Sequence, residues 1–435
     1  MPAGCGIFGK HGWTVASFLI SLEQSRRATA LRHHQMRGDN MADHPWGRDV
    51  LDYCIGPNGS EDFFKTYFEQ KALIVSRNEP DRYKELLSVA RVDTLLASRD
   101  FHGDDVDMAR ADPPITRDQF LLSNGYADRG AIANLYQEGG TLILPHLHQA
   151  DLGLKSFCRA MESVFTSHVQ TNIYLTPPNN QGFRTHYDDH DVFVLQVEGE
   201  KLWRLYDQSV DKPYRGEGFN PDHVQPGELV EEFVLKAGDC AYVPRGLMHD
   251  AQAQGSADSL HITVGMIVKT WADLMLEAVS EVALRHPEFR QSLPPGYARA
   301  DYDRAQAEAH FNSLVKIIAE EANLENAFDL FVDNFIRSRP PYSEGAITGR
   351  GAATTPGAKF RIRPDIPWRL AEDEDRLVLI TAGGELIFPS AAEAGLDKVL
   401  DGEVFNLSAF EAAGEEEAQK ALNQLFGYGV IERVG

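Results

Sequence analysis

Two histidines and one aspartate near the middle of the chain have the side chains and the spacing of a metal site. His186 and Asp188 lie two positions apart at the start of the predicted strand in THYDDHDVFVLQVEG. Because alternate residues of a strand point to the same face, this imidazole and this carboxylate can bind the same ion. About 60 residues later, His249 follows a Pro-Arg-Gly turn as another predicted strand begins. Two histidines and one carboxylate are the ligands of non-haem Fe(II) oxygenases, which keep open positions on the metal for their substrates.

Other histidines compete for these roles, and a His-x-Asp pair also arises by chance, so a structural role is the alternative for each residue. His190 shares the predicted face of Asp188 and is the rival third ligand, although it lies about 6–7 Å further along a strand. His261 lies in SLHITVG, where Ser259 and Thr263 share its face, and it can line the same pocket. We expect structural or surface roles for the remaining candidates, which are His146, His148 and Cys240.

The elements that must position these side chains are strands. From Gly140 to Thr270 the chain consists mainly of short runs of β-branched and aromatic residues. Gly, Pro, Asn and Asp separate these runs at intervals near the roughly 8–12 residues that are typical of sandwiches and barrels. Because the strands follow one another without intervening helices, we predict an antiparallel jelly-roll barrel. In such a barrel, the strand that begins with His186 and the strand that begins with His249 can face each other across the interior.

Helical and mixed segments flank the predicted barrel, so the fold class is α+β. We assign residues 1–55 to an N-terminal extension that is flexible in part, and residues 56–270 to the barrel domain. Residues 271–340 read as helices with more apolar surface than one layer on a barrel needs, which predicts a homodimer. Residues 341–435 combine a β-hairpin with helices and resemble a small winged-helix module. The basic residues 1–40 read as a flexible arm or as an extension from an upstream start codon.

Composition narrows the classes of function. The chain has 435 residues and a formal net charge of −23, which disfavours direct binding of nucleic acid and suits a basic partner. No apolar run reaches the roughly 18–20 residues that a membrane-spanning helix needs. The four cysteines lie far apart without a disulfide pattern, so we expect a protein of the reducing cytoplasm.

The sequence around the metal motif resembles a known enzyme family. The block TNIYLTPPNNQGFRTHYDDHDVFVLQVEGEKLWRLYD, followed by AGDCAYVPRGLMHDA and SLHITVG, is similar to the JmjC-type ribosomal oxygenases of the cupin superfamily. The similarity covers roughly residues 56–270. It implies a double-stranded β-helix (jelly-roll, cupin, JmjC) barrel, a helical dimerisation segment and a C-terminal winged-helix module. It also implies Fe(II)- and 2-oxoglutarate-dependent hydroxylation of an Arg or His side chain in a ribosomal protein.

The resemblance assigns roles by motif position. His186, Asp188 and His249 correspond to the iron ligands, and they would carry the catalysis. Lys201, thirteen residues after Asp188, corresponds to the residue that binds the far carboxylate of the co-substrate 2-oxoglutarate. Physical reasoning agrees, because a lysine inside a barrel requires an anion. The alternative is a solvated lysine in a turn. In the sequence interpretation, the strand of Lys201 pairs back beside the strand of His186.

The resemblance says less about the other pocket residues and about the identity of the substrate. Asn172 and Tyr174 match pocket positions, and with Thr263 they are candidates to bind the co-substrate or a peptide. Lys201 and the HYDD segment resemble the eukaryotic pattern, whereas Gly265, which lacks a hydroxyl, resembles the bacterial one. The subfamily therefore stays open. The alternatives are an oxygenase of a natural-product precursor peptide, a histone demethylase and a non-catalytic metal-binding cupin scaffold.

Overall fold

The computed structural model describes residues 31–33, 45–46, 49–56, 59–207, 210–351, 355, 357–373 and 375–434. The chain divides into two compact units, one formed by residues 38–268 and the other by residues 1–37 with 269–435. The interpretation of residues 1–40 as a flexible arm falls outside the described residues, apart from the short strand at residues 31–33. No helix among the described residues is long and apolar enough to cross a bilayer.

Strands and helices are numbered in chain order over the described residues. The strands are β1 (Leu31–His33), β2 (Leu73–Val75), β3 (Asp107–Ala109), β4 (Thr141–Pro145), β5 (His168–Thr176), β6 (Asp191–Glu198), β7 (Glu200–Tyr206), β8 (Leu229–Lys236), β9 (Cys240–Val243), β10 (His249–Gln254), β11 (Ser259–Ile267), β12 (Lys359–Ile362), β13 (Trp368–Asp373), β14 (Arg376–Thr381), β15 (Gly384–Pro389) and β16 (Ile431–Val434). The α-helices are α1 (Val50–Ile55), α2 (Ser60–Thr66), α3 (Val89–Ser98), α4 (Arg129–Gln137), α5 (Leu152–Phe165), α6 (Trp271–Arg285), α7 (Ala305–Glu321), α8 (Leu324–Ser338), α9 (Glu393–Leu400) and α10 (Glu415–Gly427).

The unit of residues 38–268 contains two antiparallel sheets. The larger sheet has seven strands in the order β2-β9-β6-β11-β5-β4-β3, and the smaller has three in the order β10-β7-β8. The antiparallel jelly-roll predicted from the strand spacing is confirmed. One detail of the sequence interpretation is wrong, because β7 does not pair back on β6. Gly199 carries the chain to the other sheet, where β7 pairs with β8 and β10.

The geometry of Gly199 explains this change of sheet. Its φ angle is +67°, a conformation that glycine adopts without strain. A Cβ atom at this position would lie 2.2 Å from the carbonyl oxygen of Asp258, so no larger residue fits. The turn therefore directs β7 away from β6 and places Lys201 on the small sheet.

Strand β6 shows how the core is divided. Phe193 and Leu195 belong to the large hydrophobic cluster that includes the helices, whereas Val192 and Val194 belong to the cluster that includes Trp203. Both faces of β6 are therefore buried, which explains its nearly continuous apolar sequence. The faces that carry Val194 and Trp203 line a cavity inside the barrel.

The barrel unit includes residues that the sequence interpretation assigned to the N-terminal extension. Helix α1 is buried along most of its length, and its Leu51, Cys54 and Ile55 join the large hydrophobic cluster. Just before it, the Trp46 ring lies edge-on to Phe157 of α5, with 5.5 Å between centroids. Six residues are too few to show a helical period, so the burial of α1 depends on packing that the local sequence does not reveal.

The second unit has sheets and a hydrophobic core of its own. Its larger sheet has the order β1-β13-β14-β15, β12 pairs with β16, and α9 and α10 pack on the core. Within this unit, the buried guanidinium of Arg369 in β13 lies 3.1 Å from Asp333 of α8 and 3.3 Å from Asp329. A buried charge requires such partners, so this pairing fastens α8 to the sheet. The winged-helix character of residues 341–435 stays a prediction.

Candidate active site

The structure brings His186, Asp188 and His249 together. One nitrogen or oxygen atom from each lies within 4.8 Å of the others, and this is the one such group of three potential ligands among the described residues. His249 Nε2 lies 3.8 Å from Asp188 Oδ2. The backbones of the two histidines form an antiparallel bridge, in which the N–H of each donates to the carbonyl of the other at 2.9 and 2.7 Å. The bridge places the two imidazoles side by side, although they lie 63 positions apart in the sequence.

Both imidazoles are oriented for metal binding. His186 Nδ1 lies 2.8 Å from the carbonyl oxygen of Arg184, and His249 Nδ1 lies 3.0 Å from that of Leu247. A carbonyl only accepts, so each Nδ1 carries the proton and each Nε2 keeps a lone pair for a metal. Burial, and then the neighbouring His186, lower the pKa of His249 to about 4. His249 is therefore neutral at physiological pH, as a metal ligand must be.

The turn before β10 depends on Gly246. Its φ angle is +81°, and a Cβ atom there would lie 2.0 Å from the carbonyl oxygen of Val210. The Gly246 N–H donates to the carbonyl of Asp188 at 3.0 Å. This hydrogen bond connects the turn that precedes His249 to the backbone of Asp188, the candidate carboxylate ligand.

His190 is not the third member of the group. Residues 187–190 lie in an irregular segment that precedes β6, so the strict alternation expected of a strand does not apply to them. His190 Nδ1 instead lies 3.1 Å from the carboxylate of Asp189. The His190 ring occupies the space over Gly265, where a Cβ atom would lie 2.7 Å from the ring carbon Cδ2. The missing side chain at residue 265 therefore makes room for His190, a relation that neither segment alone indicates.

The residues on either side of Asp188 bind the connection between β7 and β8. Asp189 accepts hydrogen bonds from Arg215 Nη1 at 2.6 Å and from the N–H of Gly216 at 2.7 Å. The Tyr187 hydroxyl donates to the carbonyl of Glu217 at 3.1 Å. Burial would raise the pKa of Asp189, but the bonds to His190, Gly216 and Arg215 lower it well below the ordinary value. Asp189 is thus an ionised anchor for this connection.

A cavity extends behind the three candidate ligands, with about 560 Å³ of empty space that is partly open to solvent. Lys201 lines it and is buried, with 5% of its surface exposed. Its ammonium group donates to the hydroxyl of Thr176 at 3.4 Å, and no carboxylate in the described part of the chain lies within ion-pair distance of it. Burial lowers the pKa of Lys201 to about 7. The alternative of a solvated lysine in a turn is therefore excluded, and a buried cation with only a neutral partner among the described residues suits a bound anion.

The other predicted pocket residues occupy β5 and β11. Tyr174 pairs with His261, and Asn172 pairs with Thr263. Tyr174, His261 and Thr263 line the cavity. Asn172 is not among the described lining residues, and its side-chain oxygen accepts from the N–H of His146 at 3.3 Å. The expected contact of Asn172 with a co-substrate therefore has less support than that of Tyr174.

Sequence reasoning missed two aromatic residues of the cavity. Trp203 lies two positions after Lys201 in β7 and therefore shares its face, so strand alternation could have identified it. Phe183 also lines the cavity, and its ring centroid lies 5.6 Å from that of His186. No local signal marks Phe183, because it lies in a loop before the metal motif.

The chain matches proteins of known family over much of its length. Residues 146–274 match the JmjC domain family. The bifunctional lysine-specific demethylase and histidyl-hydroxylase NO66 of Aedes aegypti is 30% identical over 346 residues, which cover 73% of this chain and 52% of that protein. Ribosomal oxygenase 1 of Homo sapiens is 35% identical over 266 residues, which cover 59% of this chain and 41% of that protein. The chain thus spans about half the length of these relatives, or less.

A solved structure extends the comparison to the fold. The Escherichia coli ribosomal oxygenase YcfD superposes with a TM-score of 0.52 at 15% sequence identity, over 86% of this chain and 98% of that chain. At this identity the likeness concerns the fold alone. The chain therefore contains a JmjC domain at residues 146–274, and it is similar in sequence to NO66 and to ribosomal oxygenase 1 over more than half of its length.

Proposed function

We propose that this protein is an Fe(II)- and 2-oxoglutarate-dependent oxygenase that hydroxylates an Arg or His side chain of a ribosomal or other basic protein. The observation that carries the proposal is the content of one cavity. It presents two histidines and a carboxylate at one place and, at another, a buried lysine for which the described residues supply no anionic partner. This pairing fits a metal together with an organic dianion, and a scaffold that only binds metal would not need the lysine.

Different residues of the cavity would bind the metal and the co-substrate. His186, Asp188 and His249 would hold Fe(II), because together they offer the two-histidine, one-carboxylate ligand set of non-haem iron oxygenases. Lys201 would hold the far carboxylate of 2-oxoglutarate, with Tyr174 and Thr263 as neighbours in the same cavity. The bound metal and co-substrate would supply the oxidation of an unreactive C–H bond by O₂. The protein positions the reactants and keeps water away from them.

The names of the relatives and the charge of the chain support the substrate class. The relatives are named as ribosomal oxygenase and as histidyl-hydroxylase with lysine-specific demethylase. A net charge of −23 favours encounter with a basic protein. The charge also supports our proposal that the chain does not bind nucleic acid directly. The four widely spaced cysteines support our proposal that it acts in the cytoplasm. Natural-product precursor peptides remain the alternative substrate class, which the same chemistry would serve.

The proposed function predicts a mass difference in a cellular protein. Intact-mass measurement of ribosomal proteins from cells with and without the gene should show one protein that is heavier by one oxygen atom in the cells with the gene. Tandem mass spectrometry should place the oxygen on an Arg or His side chain. Cells that carry the Asp188→Ala variant are the matched control and should resemble the deletion. The proposal fails for ribosomal substrates if their masses are identical in all three cell lines.

We also propose a homodimer through helices α6 and α7. Five large apolar side chains on them are exposed among the described residues, and the three most exposed are Trp271 (74%), Leu276 (71%) and Phe311 (64%). Apolar patches of this kind usually lie at protein interfaces. Light scattering at micromolar concentration should give twice the mass of one chain, and the double variant Leu276→Glu/Phe311→Glu should give the mass of one chain. A monomeric wild-type protein would refute the dimer.

A further inference from the structure

Strand β8 lies at the edge of the small sheet. In the order β10-β7-β8, β7 borders it on one side, and no strand borders it on the other side among the described residues. The strand is eight residues long, and its residues 231–236 pair with β7 without interruption. On the side away from β7, the backbone N–H and C=O groups of such an edge strand are available to pair with another chain.

The side chains of β8 leave this edge open. Leu229, Val230 and Val234 are apolar and exposed. A long edge strand with exposed apolar residues tends to associate with other chains, and proteins usually protect such an edge with lysine or proline. β8 contains no proline, and its one lysine, Lys236, is its last residue. The edge is therefore suited to pairing with a further strand.

The charge around β8 indicates which kind of chain can pair with it. Residues 216–235 contain five acidic residues and no lysine or arginine. Glu232 pairs with Arg204 at 3.1 Å, whereas the described residues offer no ion-pair partner to the exposed Glu228 and Glu231. A second copy of β8 would bring more carboxylates to the same edge, and like charges on paired strands are destabilising. A basic segment would instead be attracted to it.

The edge also lies close to the metal group. His249 of β10 is opposite Leu205 of β7, which is opposite Glu231 of β8. Because neighbouring strands are about 4.8 Å apart, a segment added beside β8 would lie about 14 Å from the backbone of His249. About five extended residues span this distance. One polypeptide can therefore pair with β8 and present a nearby side chain to the metal group.

We propose that the free edge of β8 binds an extended basic segment of the substrate protein, which adds a strand to the small sheet near the residue that is hydroxylated. The inference rests on the proposed function for the identity of this partner. Backbone hydrogen bonds to β8 provide affinity, and side chains beside the edge provide selectivity. Lys or Arg would lie beside Glu231, and β-branched residues on the opposite face would cover Val234.

A basic peptide of about twelve residues, in which lysine alternates with threonine, is the probe for this edge, since threonine favours an extended chain. Hydrogen exchange of the full wild-type chain, followed by mass spectrometry, should show slower exchange at residues 229–235 when the peptide is added. Exchange at β15, the edge strand of the second unit, should not change. A peptide with proline in place of threonine keeps the charge but lacks half of the N–H donors. It should bind at least about tenfold more weakly.

Charge reversal tests the acidic residues. The double variant Glu228→Lys/Glu231→Lys should bind the lysine–threonine peptide roughly 5- to 20-fold more weakly, because each change replaces attraction by repulsion. The matched control is Glu403→Lys/Glu416→Lys, which changes the net charge equally at two exposed glutamates of the second unit. The control should bind the peptide nearly as well as the wild type, since its changes lie away from β8.

The substrate protein itself provides the last measurement. For the ribosomal protein that intact-mass measurement identifies, Glu228→Lys/Glu231→Lys should raise KM by a similar factor and change kcat far less. The inference is wrong if KM does not change, if the peptide leaves the exchange of β8 unaltered, or if both double variants weaken the peptide equally. Protection of β8 that rises with protein concentration alone would make a second copy the occupant and would also overturn it.

These outcomes are distinct from a failure of the proposed function. None of them concerns the turnover of 2-oxoglutarate or its loss in Asp188→Ala, so the proposed function would stand if the inference failed. A wild-type protein that binds iron but does not turn over 2-oxoglutarate would overturn the proposed function. The inference would then fall with it, even if the peptide bound to β8.

Discussion

An Asp188→Ala protein is expected to lose turnover of 2-oxoglutarate while it keeps its fold. The variant leaves two histidines without the negative ligand of the proposed iron site. Changes in groups that merely support metal ligands cost roughly 10- to 100-fold in affinity or activity, so the loss of a ligand should exceed about 100-fold. The fold should survive because the Asp188 side chain is 32% exposed, and because its backbone carbonyl, which accepts from Gly246, is retained.

Three measurements test this result. Iron content reports metal binding, release of CO₂ from 2-oxoglutarate reports turnover, and the thermal unfolding curve reports whether the fold is kept. Asp189→Asn is the matched control, since it changes the adjacent carboxylate, which binds Arg215 and Gly216 rather than the proposed metal. This control should still bind iron. An Asp188→Ala protein that retains both iron and turnover would show that the metal centre is wrongly assigned.

A Lys201→Met protein is expected to need far more 2-oxoglutarate than the wild type. Removing one member of a buried, hydrogen-bonded charge pair costs about 2–5 kcal/mol, which corresponds to a KM raised about 30-fold or more. Methionine fills a similar volume without a charge, so the barrel should remain folded. The exposed Lys236, which lies on the neighbouring strand β8, provides the control variant Lys236→Met, whose KM should not change.

The same lysine makes the binding of 2-oxoglutarate depend on pH. Its pKa is about 7 in the protein without ligand, and an adjacent carboxylate would raise it by favouring the ammonium form. Below pH 7 the lysine is already protonated, so affinity is highest and constant. Above pH 7 binding must take up a proton, so affinity falls by up to about tenfold per pH unit until the pKa of the bound state is reached.

Calorimetry at pH 8 in two buffers with different ionisation enthalpies counts the protons taken up. The wild-type protein should take up close to one more proton than Lys201→Met. Equal proton uptake by the two proteins, or an unchanged KM in the variant, would mean that another cation binds the far carboxylate.

The sequence by itself was sufficient for the barrel and for the four charged or metal-binding residues brought together in its cavity, although not for the aromatic residues Phe183 and Trp203. The strand pattern predicted the antiparallel jelly-roll, because side-chain alternation and turn residues are local properties. The motif positions of His186, Asp188, His249 and Lys201 identified four side chains that the structure places around one cavity. Lys201 and His249 follow recognisable glycine turns. The predicted strand start at His186 is wrong, because β6 begins at Asp191 and His186 forms only an isolated bridge with His249.

Tertiary structure decided what depends on contacts between distant segments. The short helix α1 is buried by packing on the barrel unit. The chain changes sheets between β6 and β7 at Gly199, where the positive φ angle and the nearby backbone of Asp258 require a glycine. His190 is drawn to Asp189 and into the space over Gly265, rather than to the metal group. The stacking of His261 on Tyr174 follows from the pairing of β11 with β5, which places the two residues opposite each other. A local sequence pattern predicts which face of a strand a side chain occupies. The contacts of that side chain depend on residues from distant segments, which come together only in the folded barrel.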